Sequence, residues 1–317
     1  MTPAPAAGFA PLRIAAALLL ALAVAAGLAP EGRAQSDPLE ITVAGAKFEP
    51  TPVAIVSFGA ADPALADRAR DLVEVVEADL ERSGLFELIP RDAFLASDVA
   101  FDTVPTFADW RVIDAEALVT GRLMAAEDGR LQVQFRVFDT LAETQLEGMQ
   151  LLAEPGNWRR IAHKVADGIY TALTGEGPYF DSRIAFIDET GPKGDRRKRL
   201  AVMDQDGANL RYLPGADGLV LTPRLSPDGE TILYIDYDTG QPEIYLYDLA
   251  GETRERLGNF PGMSFAPRFS PDGEQVVLSL SQDGNTDLYA MRLEDRRLRR
   301  LTTSLAIATS ASYSPDG

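Results

Sequence analysis

The chain has 317 residues, with 30 Lys+Arg against 48 Asp+Glu, a formal charge of −18, no Cys and one His. That charge argues against a sequence-independent nucleic-acid binder, which gains affinity by neutralising phosphates, and against electrostatic docking on an anionic membrane. Absent cysteines exclude disulfides, thiolate nucleophiles, iron–sulfur clusters and Cys-zinc sites, and the single His163 excludes multi-His metal sites, so an enzyme is disfavoured.

Apolar content of 46% is globular, and the length suits about two domains. Arg13 precedes an apolar run over residues 14–28, shorter than the roughly 20 residues a membrane span needs. Pro30-Glu31-Gly32-Arg33-Ala34 follows, ending in a small residue. Residues 1–34 read as a signal peptide cleaved after Ala34. An exported, acidic, Cys-free chain fits a bacterial periplasm, and no later segment reads as a membrane span. Residues 35–47 form a polar leader with apolar Ile41 and Val43 in alternation, suited to adding as a strand to a partner.

Residues 53–58 predict a strand. Asp62-Pro63 then supplies an N-cap and a Pro at the first helical position. Leu65, Ala69, Leu72, Val73, Val76 and Leu80 recur at helical spacing, and Gly84 suits the left-handed position after the helix. Strands are expected at 85–89 and 116–121, with a short helix at 107–115 between them. In residues 131–138, Leu131, Val133, Phe135 and Val137 face one way, while Gln132, Gln134 and Arg136 face water. Residues 145–153 are the partner strand. Asn157 is expected to cap a second long helix with Trp158, Ile161, Val165, Ile169 and Leu173 inward, stopped by Gly175. The order predicts an α+β domain over residues 35–180, a mixed sheet with helices packed on it. His163 lies on the last helix with no Ser/Asp pair spaced to serve it, and reads as an ordinary, partly exposed histidine.

Residues 181–317 repeat internally. Ser226-Pro227-Asp228-Gly229 recurs at 270–273 and at 314–317, both at intervals of 44 residues. The flanks repeat in register: Pro223-Arg224-Leu225 matches Pro267-Arg268-Phe269, and Leu257 matches Leu301. A partial copy precedes them near 184–188 and 200–213. Each unit reads as four short strands with a Pro-Asp-Gly turn after the first, the pattern of a β-propeller blade. About three blades' worth of sequence is present. The last unit breaks off at Gly317, which reads as a fragment of a longer propeller.

The order of signal peptide, α+β domain and Ser-Pro-Asp-Gly blades resembles the TolB family of periplasmic Tol-Pal proteins. The most specific pieces are Leu173-Thr174-Gly175, the run Pro267-Arg268-Phe269-Ser270-Pro271-Asp272-Gly273, and Asp287-Leu288-Tyr289. The resemblance implies a six-bladed propeller, about three blades of which are present, and no cofactor. It implies that the propeller mouth receives the lipoprotein Pal, with Met263, Ala266 and Thr309 at matching positions. It implies that the mature leader, with Ile41 and Val43, binds TolA. The expected role is a non-enzymatic periplasmic scaffold for outer-membrane integrity and envelope invagination in cell division, with neither nucleic-acid binding nor direct membrane insertion.

The rival reading is the propeller of a secreted prolyl-oligopeptidase-like hydrolase whose catalytic domain lies elsewhere. Gly262-Met263-Ser264-Phe265-Ala266 is the nearest string to its nucleophile motif, but it lacks the second Gly and no His follows it. A third reading is a sugar- or wall-binding propeller lined by Tyr234, Tyr237, Tyr245, Tyr247 and Tyr289, for which blade core is the simpler assignment. Asp283, Asn285, Asp287, Tyr289 and Glu294 have calcium-loop spacing, but Leu288 stands where such a loop needs Gly. The five cationic residues of 193–199 read as a solvated inter-strand loop.

Overall fold

A computed structural model describes residues 49–317 except Ala61, Ser97, Asp98, Pro261 and Asp283. The expected signal peptide, its expected cleavage after Ala34, and the expected leader with Ile41 and Val43 lie outside the described residues, as does the first position of the calcium-like spacing. Among the described residues, no helix is long and apolar enough to cross a membrane.

The first sheet has the order β3-β1-β4-β5-β6, with β2 (Gly59–Ala60) beside β4. Strand β1 (Thr51–Ile55) runs parallel to β3 (Phe86–Leu88) and β4 (Ala117–Ala125). Strands β4, β5 (Leu131–Asp139) and β6 (Thr144–Ala153) form an antiparallel meander. Alternation along β1 sends Val53 and Ile55 to one face and Ala54 and Val56 to the other. Helices α1 (Ala66–Ser83) and α3 (Trp158–Thr174) cover the first face, burying Leu72, Val76, Leu80, Ile161, Val165 and Ile169. The short helix α2 (Phe107–Arg111) covers the second with Phe107 and Trp110. Burying one such large apolar side chain stabilises by about 1.5–3 kcal/mol.

Three expectations need correction. Asn157 makes no side-chain cap, because a 3₁₀ turn over Pro155–Asn157 feeds the helix directly. The helix expected at 107–115 stops at Arg111, where the chain turns and Asp114 adopts φ 59°. Gln132, Gln134 and Arg136 are half-buried: Gln134 bridges Arg122 and Gln150, and the Arg122 and Arg136 guanidiniums sit 4.5 and 4.6 Å from the Phe101 ring. The 101 loop covers a face that alternation alone assigns to water.

From residue 183 the chain builds three further sheets. Strands β7 (Arg183–Thr190), β8 (Arg197–Asp204) and β9 (Arg211–Asp217) form the first. Strands β10 (Val220–Leu225), β11 (Thr231–Asp236), β12 (Glu243–Asp248) and β13 (Thr253–Arg256) form the second. Strands β14 (Met263–Phe269), β15 (Gln275–Gln282), β16 (Asn285–Arg292) and β17 (Leu298–Arg300) form the third. All are antiparallel meanders, as propeller blades require. The cationic run 193–199 spans the β7–β8 hairpin, with Arg196 and Lys198 on Glu189 and Arg199 on Asp188. Tyr234 and Tyr247 are fully buried, and Tyr245 stacks on Tyr234.

The repeated turn works the same way each time. Gly229 N–H donates to Ser226 C=O at 2.8 Å, the Ser226 hydroxyl donates to Asp228 at 2.5 Å, and Asp228 accepts the Glu230 amide at 3.0 Å. Ser270 and Asp272 reproduce the circuit, and Ser314 donates to Asp316 at 2.6 Å. The closing glycines have φ of 71°, 74° and 80°. These bonds favour the carboxylate form. The Glu230 amide and Ser226 hydroxyl hold Asp228 below its ordinary pKa, and the Ser270 hydroxyl and Glu274 amide do so for Asp272.

A depressed folded pKa gives stability that is present above the unfolded value, near pH 4, and lost as pH falls through the folded value. Replacing Asp228 and Asp272 together by Ala should therefore flatten the acid limb of a plot of urea midpoint against pH. Gly262 has φ 84°, and a Cβ there would lie 2.0 Å from the Ser281 carbonyl oxygen. Gly262→Ala should cost more than about 1 kcal/mol in urea unfolding. Gly251→Ala, whose nearest neighbours lie at 3.6 Å, should stay within about 0.5 kcal/mol of the parent.

Candidate functional site

The first strands of the three blades are neighbours, β10 touching both β7 and β14. Two of them carry an irregularity at the same repeat position: the register shifts between Leu221 and Arg224 in β10 and between Phe265 and Arg268 in β14. Thr222, Ala266 and Ser310, spaced by 44 residues, have φ of 50°, 50° and 58°. A non-glycine residue in this region costs roughly 1–2 kcal/mol, so three left-handed residues at one repeat position, two of them at strand bulges, mark a conformation the blade architecture imposes.

Met263 and Ala266 lie on this strand. Met263 is 48% exposed and Ala266 half-buried. Thr309 is exposed, and its neighbour Ser310 donates its amide to the Ser279 hydroxyl at 3.2 Å. Ser279 pairs with Phe265, and Ala308 N–H donates to Thr286 C=O. Ser310, next to Thr309, thus reaches Ser279 of β15, whose partner Phe265 lies between Met263 and Ala266 on β14. By repeat position Ser310, one residue beyond Thr309, is the equivalent of Ala266. Ser264 is buried within β14 with its hydroxyl toward Pro242 C=O, not on a strand-to-helix turn. Arg224 and Arg268 occupy equivalent places on β10 and β14, and each guanidinium bonds only its preceding Pro carbonyl among the described residues. Burial and the Arg224 charge lower the Arg268 pKa. This repeated cation sits inside an acidic chain, and the matching Pro-Arg dipeptides were the signal for it.

A second polar cluster lies where the α+β domain meets the first blade. His163 is not the partly exposed helical residue its spacing suggests: it is 1% exposed. Its Nδ1 lies 2.6 Å from Asp79 on α1, itself fully buried. Its Nε2 faces the β8–β9 turn, 3.8 Å from Asp206 and 4.0 Å from Asp204, with no hydrogen-bond partner. Arg159 pairs with Asp206, and Arg82 lies 3.2 Å from Asp79. Gln205 donates to Asp79 at 2.9 Å and accepts from Arg82 at 2.7 Å. Burial opposes charging the imidazole, but the Asp79 bond and the charges of Asp79, Asp206 and Asp204 outweigh it, and the pKa is raised. Burial likewise opposes ionised Asp206, but the Ala208 amide and Arg159 outweigh it, and its pKa is lowered.

Nearby, the Asp167 carboxylate on α3 accepts the amides of Tyr179, Phe180 and Asp181 at 2.7–3.0 Å. Arg160 and Lys164 pair with Asp181, while Arg160 and Arg183 reach Glu230.

A family profile described as the TolB amino-terminal domain matches residues 39–146, and one described as the TolB beta propeller domain matches residues 170–317. The chain is 48% identical over 223 residues to the Tol-Pal system protein TolB of Dinoroseobacter shibae, covering 70% of this chain and 50% of that protein. It is 47% identical over 249 residues to the Tol-Pal system protein TolB of Paramagnetospirillum magneticum, covering 78% and 56%. Among solved structures, TolB from Acinetobacter baumannii superposes with a TM-score of 0.67 at 32% identity, covering 85% of this chain and 64% of that one. The chain spans about half the length of the relatives it matches. With both profiles in the order that the repeat and the α+β pattern predict, the chain belongs to the TolB family.

Proposed function

We propose that this chain acts as a non-catalytic periplasmic scaffold of the Tol-Pal system. Residues 1–34 are removed after Ala34. The mature leader, with Ile41 and Val43, binds TolA, and residues 35–180 form the domain that carries it. The blades from residue 181 onward present Met263, Ala266 and Thr309 to Pal. The role is to couple these partners in support of outer-membrane integrity and envelope invagination during division.

The observation that carries this reading is the surface of β14: an exposed Met263 three residues before the left-handed bulge at Ala266, with Ser310 left-handed at the same place one repeat later. An exposed, adaptable thioether next to a rigid backbone irregularity suits protein recognition, because the bulge fixes the contour and Met adapts to it. Family membership supports it too, since the named relatives are Tol-Pal system proteins. The net charge of −18 favours partners with basic patches.

Met263→Glu should weaken binding to a soluble Pal domain at least about tenfold in titration calorimetry, as loss of one interface anchor does. Val104→Glu, at an exposed site of the α+β domain, should leave it unchanged; equal affinity for both variants and the parent would remove Met263 from the interface. Deleting residues 35–47 from the mature protein should abolish capture by TolA while Pal capture persists. Loss of both, or of neither, contradicts the division of labour.

A further inference from the structure

The His163 cluster has a charge balance that constrains its protonation. Three carboxylates (Asp79, Asp204 and Asp206) face two guanidiniums, Arg82 and Arg159. A neutral imidazole donating Nδ1–H to Asp79 would aim the bare Nε2 lone pair at Asp204 and Asp206. That leaves a buried lone pair unpartnered against two anions, a costly arrangement. A cation at Nε2 removes both problems and brings the cluster to three charges of each sign. Arg159 already bonds the Asp206 oxygen that faces Nε2, so a divalent ion there would stand against a guanidinium. A proton needs no such displacement.

We propose that His163 is a doubly protonated pin that fastens the β8–β9 turn of the first blade to helices α1 and α3, and that the junction loosens when this proton is lost. The pin reaches across the junction: Nδ1–H holds Asp79 of the α+β domain, and Nε2–H attracts Asp204 and Asp206 of the blade. All facing charged groups enter the balance. From α1 these are Asp79 and Arg82. From α3 they are Arg159 and Asp167, the latter committed to the amides of 179–181. From the β8–β9 turn they are Asp204 and Asp206. Tyr179 of the connecting segment lies near Asp79 and Arg82. Gln205 completes the contact as a neutral bridge between Arg82 and Asp79.

The sign follows from linkage. An unfolded imidazole titrates near pH 6.5, and the folded one above it. The pin's contribution is therefore complete below about pH 6.5 and is lost as pH rises through the folded value, by at most about tenfold in the opening equilibrium per pH unit.

One histidine in the chain makes the test direct. In the mature protein, the His163 imidazole Cε1–Hε1 resonance, assigned by its loss in His163→Gln, is followed against pH by NMR. The expected result is a midpoint above 6.5 that falls in Asp206→Asn and in Asp204→Asn. Exchange protection of the amides of 205–209, corrected for intrinsic exchange, should drop above that midpoint in the parent. It should show no such drop in His163→Gln. A midpoint at or below 6.5 overturns the proposal, as does a protection profile that His163→Gln leaves unaltered. So does a rise in Tm with added Zn²⁺ that His163→Gln abolishes, which would make the bound cation a metal.

Discussion

Three backbone amides on one buried carboxylate set the course of the chain. Asp167 is 8% exposed, and the N–H groups of Tyr179, Phe180 and Asp181 all point at it. The segment between α3 and β7 has no secondary structure to satisfy its own amides. Asp167 does so, with charge-assisted bonds worth roughly twice neutral ones. Phe180 is thereby driven into the core of the α+β domain, edge-on to Tyr170. With residues 179–181 fixed, Asp181 is placed for Arg160 and Lys164, and β7 starts where its hairpin can present the β8–β9 turn to α1 and α3. The first blade, and the blades packed on it, take their place from that start.

The blades then repeat a local solution. The Ser-Pro-Asp-Gly circuit turns the first strand into the second. Glu243 pairs with Arg256 across one blade, and Asp287 with Arg300 one repeat later. Left-handed residues recur where the first strand bulges and again at Asn209, Glu252 and Arg296 before the last strand. Because the strain recurs in step with the sequence period, it belongs to blade geometry. What differs between copies is the side chain displayed there, Thr222, Ala266 or Ser310. Conserving a contour while varying what it presents is how a repeat can become a recognition surface at one blade only.

This division also explains what the sequence makes legible. The 44-residue period, the turns and the strict alternation of Leu131, Val133, Phe135 and Val137 are local patterns, and each appears as a turn or strand with the expected faces. The helical stripe from Ala69 to Leu80 is buried as its spacing requires. Less legible is anything that depends on distant chain segments. His163 and Asp79 are 84 residues apart, and nothing in the polar look of a helical histidine announces a buried carboxylate opposite it. The Gln134 face looks solvent-facing until the 101 loop lays Phe101 across Arg122 and Arg136. The bulges are hidden for another reason: Thr222 and Ala266 are not the glycines that normally betray a positive φ. At Met263 and Ala266, residue identity locates the strand, and the geometry adds the bulge.

Junctions of two chemical kinds follow along the chain. Leu200, Val202, Leu213 and Ala216 pack with Val220, Ile232, Tyr234 and Tyr247, so the first two blades share an apolar core. Leu233, Ile244 and Leu246 do the same with Val276, Leu278 and Leu280 of the third. Such contacts are dense and non-directional and involve no group that titrates near neutral pH. Between the α+β domain and the blades there are also ionic and hydrogen-bonded ties: Asp79, His163, Arg82 and Gln205 at the β8–β9 turn of the first blade, and Arg160 reaching Glu230 of the second. Ions and hydrogen bonds exchange readily with water, and their strength depends on protonation and ionic strength. The polar contacts between the α+β domain and the blades are therefore the ones that respond to pH and salt.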